Sequence, residues 1–574
     1  MDDEAGKSAA RALSDAGLDD FLPLSPAEAE IVSSRRGFGI ERVGDGLRPN
    51  EERPERSVRA EFLRYLILRD SSASSQGRGL KLSGAWITGV LDLEGCRIPK
   101  DIGLKDCHFD SVPILRAAII DSLFLDGSRL PGLQADRLEA RGSVSMKGSA
   151  FTGAVRMIGA RLGGTMEADG VTLEWPGETA LDAGGIEVRG NVLLRGGRVK
   201  GSINLASARL GGGINTAGVH IERPGEIALN GDALAAEGDF VLSGADIAGE
   251  TRLLSVRLGG DVNCTAVTLT QPGGFALRLN HAAIAGAFVL REDAKVDGVL
   301  DLTAATIGAI DDDRESWPKP ENLLLNRCQY GAFIGGPVDA ASRLEWLGRQ
   351  APTRWATDFW PQPYEHLSVV FCDMGHDEDA REVLIAKERL QRRARRGRTR
   401  SDLVRFLLTL GDGILNITVR YGRQPLYALI WILLFWVVGI GVFFFAYKTG
   451  AMMPSSPVML RSLEWTMCNL PDTQERYMPS SGQSWQGRAK AGETQLTCFL
   501  NQPEASSYPE FNAGMYSLDV LLPVLSIGQK DYWRPNSMKP GGGFALRYFF
   551  FHSIIGWALG LLAVAGFSGL VKSR

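Results

Sequence analysis

Ile203-Asn204-Leu205-Ala206-Ser207-Ala208-Arg209-Leu210-Gly211-Gly212 is one copy of a unit that returns at a fixed interval. Its closing Arg-Leu-Gly-Gly also begins at Arg161 and Arg257, so the spacing is 48 residues on either side. Pro176-Gly177, Pro224-Gly225 and Pro272-Gly273 keep the same register, each followed by a short apolar run such as Ile227-Ala228-Leu229. A period in this range signals a solenoid or a propeller. Within each unit apolar residues alternate with polar ones over only three to seven positions, too short for the strands of a propeller blade. A β-helix fits better, with aliphatic ladders stacked along its axis and glycine at the corners that need positive φ.

Looser copies extend the pattern outward, from Gly84-Ala85-Trp86-Ile87-Thr88-Gly89-Val90-Leu91-Asp92-Leu93 to about residue 335. Taking 48 residues as two coils of about 24, the region makes roughly ten coils and a rod of roughly 45–50 Å at ~4.8 Å per coil. Open solenoid ends need caps. The helical spacing in Arg56 to Leu68 supplies one, and Ala340 to Gly348 the other.

Beyond the repeats, Pro363 to Gly375 and Asp377 to Arg393 read as a helical hairpin, with Gly375 closing the first helix and Asp377 capping the second. The second helix runs into a basic stretch with Arg392, Arg393, Arg395, Arg396, Arg398 and Arg400, suited to anionic headgroups. Leu403, Phe406, Leu407, Leu410, Ile414 and Ile417 then form an amphipathic pattern for an interfacial helix. Residues 426–447 and 548–571 are each long and apolar enough to span a bilayer. The basic flank before the first span, with Arg420 and Arg423, puts that side in the cytoplasm, and Lys572-Ser573-Arg574 agrees. The acidic start, Met1-Asp2-Asp3-Glu4, has no signal-peptide character and is expected to stay in the cytoplasm too.

The segment 448–547 is then extracytoplasmic. It holds Cys468 and Cys498, candidates for a disulfide in an oxidising compartment, and near Tyr516-Ser517-Leu518-Asp519-Val520-Leu521 a re-entrant or interfacial helix. Gly556 and Gly560 form a Gly-x-x-x-Gly step for helix packing in the second span. The fold expectation is thus mainly β: a β-solenoid (79–335) with a helical N-terminal cap (1–78), a helical-hairpin connector (336–400), an interfacial helix (401–425) and a two-helix transmembrane tail.

Composition and motifs bound the function. With 574 residues, 63 basic and 67 acidic, the net charge of -4 argues against a general nucleic-acid binder. The histidines are scattered and His366, Cys372 and His376 lack a second pair of ligands, so no metal site is assigned. No nucleophile–base set or phosphate-binding loop opens a βαβ unit, and neither catalytic residues nor a cofactor site are assigned.

The Gly84 to Leu93 unit, the Tyr364-Glu365-His366-Leu367 to Lys387 helix pair and the Tyr516 to Pro523 segment together resemble a group of bacterial membrane-anchored proteins with a pentapeptide-like β-solenoid, often labelled "membrane-associated oxidoreductase". The resemblance implies a bacterial inner membrane, crossed twice with both termini cytoplasmic, but brings no catalytic residues. The expected function is a non-enzymatic scaffold or protein-binding module, with membrane lipid and a protein partner on the solenoid face. The alternatives are a subunit of an oligomeric channel or sensor, with homo-oligomer formation, and a membrane-associated oxidoreductase.

Overall fold

The computed structural model describes residues 17–34, 41–69, 79–355, 357–422, 424, 426–469, 489–490, 492–522 and 524–567. Arg423, Pro523, residues 568–571 of the second expected span and the terminal Lys572-Ser573-Arg574 lie outside them. The chain divides into two compact units, Met1–Lys387 and Glu388–Arg574.

Parallel pairing between successive turns builds the first unit, which is a β-solenoid of about eleven turns. One interior ladder runs Leu130, Phe151, Leu173, Val199, Ile221, Ile247, Leu269, Val296, each opposite the next in register. All eight are buried. Such ladders make the core, because every turn leaves its inward side chain over the one below.

The 48-residue period resolves into unequal turns. Arg161 lies opposite Glu187, which lies opposite Arg209, so a 26-residue turn is followed by a 22-residue one. The difference is the Pro-Gly excursion: Glu174 pairs with Lys200 and Thr179 with Ser202, leaving Trp175-Pro176-Gly177-Glu178 looped out of the ladder. Two equal 24-residue coils, the expectation from the sequence, average these two.

Glycine takes one of the two positive-φ corners as expected, at Gly127, Gly148, Gly170, Gly196, Gly218 and Gly244 with φ between 63° and 68°, but not the other. That other corner, at residues 95, 117, 137, 159, 185, 207, 233, 255, 281, 304 and 327, has φ between 53° and 66°, and only Gly95, Gly159 and Gly185 there are glycine. Left-handed backbone costs an L-residue about 1–2 kcal/mol. The stack offsets it by fixing these amides turn to turn: Ala117 N–H donates to Asp136 O at 2.9 Å and Ala233 N–H to Leu254 O at 2.7 Å.

Both solenoid ends are covered. Helix α1 (Pro26–Ser34) and helix α2 (Ala60–Arg69) flank the strand Ser57–Arg59, which pairs with Trp86–Thr88 in the first turn. Phe62, Leu63, Leu66 and Ile67 of α2 are buried. At the other end helix α3 (Ala340–Leu347), N-capped by the Asp339 side chain, puts Trp346 against Tyr330 and Phe333. Arg343 of α3 is fully buried and makes a bidentate pair with Asp312, at 2.8 and 2.7 Å. Helix α4 (Gln362–Asp373) adds Phe371 beside Phe333. Helix α5 (Asp377–Gly397) already includes Asp377, and its first turn closes on His376 O, so the residue before Asp377 takes the capping position.

In the second unit helix α6 (Asp402–Val419) is followed by helix α7 (Tyr427–Lys448), a short helix α8 (Ala513–Leu521) and helix α9 (Gly542–Phe567). Helices α7 and α9 are long and apolar enough to cross a membrane. The latter begins six residues before the expected start at 548, because Gly541 at φ 79° turns the chain into it. Between α7 and α9 the described residues form a layer, with Met452–Pro454 antiparallel to Trp533–Pro535 and Cys468 bonded to Cys498. Its apolar residues share one core with Phe443, Ala446 and Ala545 of the two long helices.

Candidate functional site

The Arg-Leu-Gly-Gly units have a shared structural consequence. Leu162, Leu210 and Leu258 point into the core, whereas Arg161, Arg209 and Arg257 point out. A Cβ on Gly163 would lie 2.1 Å from Arg141 O, on Gly211 2.5 Å from Arg189 O and on Gly259 2.3 Å from Glu237 O. The second glycines are as tight: a Cβ on Gly212 would meet Asn191 Oδ1 at 2.2 Å. Glycine is required here by close approach of successive turns, not by φ.

Gly163, Gly211 and Gly259 alternate with Arg141, Arg189 and Glu237 along one column, and the gaps they leave open a trough. Its volume is about 1710 Å³, and it follows the solenoid from Arg97 to Thr306. The outward column along it reads Arg97, Ile119, Glu139, Arg161, Glu187, Arg209, Ala235, Arg257, Ala283, Thr306, each opposite the next. Arg141, Arg189 and Glu237 line it from a second column. Six arginines therefore face three glutamates.

Pairing inside the trough is loose. Arg161 lies 3.4 Å from both Glu139 and Glu187, and Arg209 lies 3.6 Å from Glu187. The Arg209 side chain is 77% exposed. Exposed pairs of this kind contribute about 0–1 kcal/mol, so an incoming carboxylate can replace them at little cost. Around the solenoid, the Pro-Gly excursions overhang a smaller cleft of about 480 Å³. It is floored by an amide ladder in which Asn230 Nδ2 donates to Asn204 Oδ1 (3.1 Å) and Asn204 Nδ2 to Asp182 Oδ1 (2.8 Å).

The residues singled out in the sequence are distributed as follows. Cys468 and Cys498 form a disulfide with Cα atoms 5.7 Å apart. Of the basic stretch, Arg392 and Arg396 bind Asp412 of α6, Arg392 at 2.8 Å and also 5.0 Å from the Tyr421 ring. These two hold α6 rather than project to a lipid surface, while Arg393, Arg395, Arg398 and Arg400 are exposed. The Gly-x-x-x-Gly step splits: a Cβ on Gly556 would lie 1.7 Å from Leu521 O of α8, but one on Gly560 would meet nothing within 4 Å among the described residues. Gly556 thus admits the short helix, not a second span.

His366 is taken up in the fold, its Nε2 accepting from Tyr330 N–H at 2.8 Å, while Cys372 is exposed. Among the described residues no three His, Cys, Asp or Glu side chains gather as a metal shell. Burial pushes the thiols of Cys107, Cys264 and Cys328 up to about 12, which keeps them protonated inside the core.

Two features escaped the sequence reading. One is the trough, whose signal, the Arg-Leu-Gly-Gly register, was visible only as a period. The other lies in the second unit, where fully buried His552 of α9 has its Nε2 3.2 Å from Ser517 Oγ of α8, and Ser517 Oγ donates to Trp436 O at 3.0 Å. Gly439 makes room, since a Cβ there would lie 2.2 Å from Ser517 Oγ. Comparison with models of known protein families, with curated proteins and with solved structures finds no match.

Proposed function

We propose that the chain is a membrane-anchored, non-enzymatic scaffold whose β-solenoid holds a protein partner. The observation that carries this reading is the trough. It runs over ten turns, has exposed guanidinium groups in weak pairs, and offers a binding line rather than a point at which reactive groups converge.

Anchoring is supported by the surfaces of α7 and α9. Ile430 is 60% exposed and Ile554 67%, as no core helix of a soluble protein would leave them. Leu403, Phe406, Leu407, Leu410, Ile414 and Ile417 of α6 are likewise all exposed on one face, with exposed arginines just before it, the pattern of a helix lying in the interface. The placement proposed is the bacterial inner membrane, with the solenoid and both termini cytoplasmic and the disulfide-bonded layer outside. The charge asymmetry around α7 and the oxidised Cys468–Cys498 pair support it.

A photo-crosslinking residue placed at Arg209 or Glu237, in the full chain in native membranes, is expected to give a discrete adduct with a second protein. The same residue at Arg198, on the other sheet, is expected to give none. Absence of an adduct from every solenoid position would overturn the scaffold reading. The wedging of α8 between α7 and α9 favours a second reading, a channel or sensor subunit, which conductance of reconstituted liposomes would test.

A further inference from the structure

We infer that the ligand of the trough is an extended, carboxylate-bearing polypeptide in the polyproline II conformation, with an acidic side chain at every third position. The inference rests on the scaffold reading and adds the partner's chemistry to it. The direction of the trough comes first. It runs along the solenoid axis, perpendicular to the strands, and the strands' own amides are already paired turn to turn, as Gly163 N–H to Ala140 O (2.8 Å) and Gly211 N–H to Val188 O (2.8 Å). A ligand cannot add as a further strand, so recognition falls to side chains.

The side chains set a spacing. Arg161, Arg209 and Arg257 occupy one column two turns apart, with Glu187 and Ala235 on the turns between them. Arg141 and Arg189 repeat the two-turn interval in the second column. At ~4.7–4.9 Å per turn, two turns are about 9.6 Å. A polyproline II helix presents the same face every three residues at ~3.1 Å each, about 9.3 Å, so the mismatch over three arginines stays below about 1 Å. A β-strand repeats its face at about 6.7 Å and falls out of step at once.

Charge and shape complete the match. Arginine forks take carboxylates in two parallel hydrogen bonds. Glu139 before Arg161 and Glu187 between Arg161 and Arg209 disfavour a continuous polyanion such as nucleic acid, whose charges follow one another without the gaps these glutamates require. The gaps at Gly163, Gly211 and Gly259, between the side chains of Arg141, Arg189 and Glu237, recur every second turn and give room for a ring-bearing backbone such as proline's at that interval. Nine ladder steps from Arg97 to Thr306, about 43 Å, hold about fourteen residues of such a peptide.

The test uses the full chain in detergent micelles and a fluorescein-labelled (Glu-Pro-Pro)₅ peptide, read by anisotropy at low and high salt. Binding is expected, with at least tenfold weakening in Arg161→Ala/Arg209→Ala/Arg257→Ala and in (Lys-Pro-Pro)₅. A peptide with five glutamates at every second position is expected to bind at least fivefold more weakly. Equal binding of that peptide would overturn the spacing argument, and tighter binding of a dT15 oligonucleotide would overturn the polypeptide class. Circular dichroism of the triple variant checks that its β-signal is kept, and Arg209→Ala alone, at a side chain that packs on nothing in the core, supplies a second variant with an expected threefold loss. If (Glu-Pro-Pro)₅ fails to bind while the Arg209 crosslink to a protein persists, the ligand class is wrong and the scaffold stands. If both fail, both readings fall.

Discussion

Arg343→Met at the C-terminal end of the solenoid removes one half of a buried ion pair and leaves the other in place. Arg343 Nη1 and Nη2 donate to Asp312 at 2.8 and 2.7 Å, its Nε donates to Pro337 O at 2.7 Å, and its guanidinium carbon sits 3.6 Å from the Phe333 ring centroid. Without it, Asp312 keeps only Trp317 Nε1 at 2.8 Å as a side-chain donor. An uncompensated buried charge costs about 3–5 kcal/mol. At about 1.4 kcal/mol per factor of ten, the amides of Leu323–Phe333 should lose roughly 10²- to 4 × 10³-fold in hydrogen-exchange protection. Exchange is the proper assay, because a chain of two units has no single melting free energy. The double variant Asp312→Ala/Arg343→Met takes the charge away too, leaving Trp317 N–H and Pro337 C=O without these partners at about 1–3 kcal/mol each, whereas each single variant adds a stranded charge to such a loss. It should therefore be less damaged than either single variant. Two single effects that simply add in the double would refute the idea that this pair closes the stack.

Four further outcomes are expected. Cys468→Ser should loosen the layer between α7 and α9 by about 3–4 kcal/mol for a closure of 30 residues, and in wild type both thiols should resist maleimide until reduced, whereas exposed Cys372 reacts at once. Gly211→Val drives a side chain into Arg189 O and should cost about 1–3 kcal/mol or more, seen as protease cleavage near that turn. Gly556→Leu should expel α8, since its Cβ position already lies on Leu521 O, and crosslinks between α8 and α9 should vanish. Burial alone would raise the Glu28 carboxyl, but Arg59 and the amides of Ser25 and Arg59 outweigh it and hold it below its ordinary value. The stability it contributes is then full above the ordinary glutamate range and is lost as pH falls through the depressed value. Protease susceptibility of the N-terminal segment should rise in that acid window, and in Glu28→Gln that pH dependence should be absent.

What the sequence disclosed depended on distance along the chain. The solenoid was legible because Arg-Leu-Gly-Gly recurs in register and a parallel stack turns that register into contact between neighbours. Both long helices were legible from apolar length alone, and the disulfide from the position of Cys468 and Cys498 between them. Arg343 with Asp312, and Arg392 and Arg396 with Asp412, were not, because each pair forms only after two helices or a helix and a strand have docked. The same holds for Gly556, whose partner is a carbonyl 35 residues earlier. The unequal 26- and 22-residue turns were hidden by a period that reports only their total.

The second unit constrains the channel alternative through its packing. Helix α8 fills the seam between α7 and α9: Phe443 packs edge-on against Tyr516 (4.7 Å), Tyr548 (5.7 Å) and His552 (5.9 Å). Ser517 and His552 bond to each other and Ser517 Oγ donates to the Trp436 carbonyl, while His552 Nδ1 is buried without a hydrogen-bond partner among the described residues. The two glycines that admit α8, Gly439 and Gly556, seat it in direct contact, since a Cβ at either would fall on Ser517 Oγ or Leu521 O. The channel reading is therefore carried by a path between copies rather than along the seam that α8 occupies. The channel reading then stands or falls with oligomer formation: a monomer by mass photometry from mild detergent, together with conductance that scales linearly with protein density, would contradict this packing, whereas a ring with conductance would favour the channel over the scaffold.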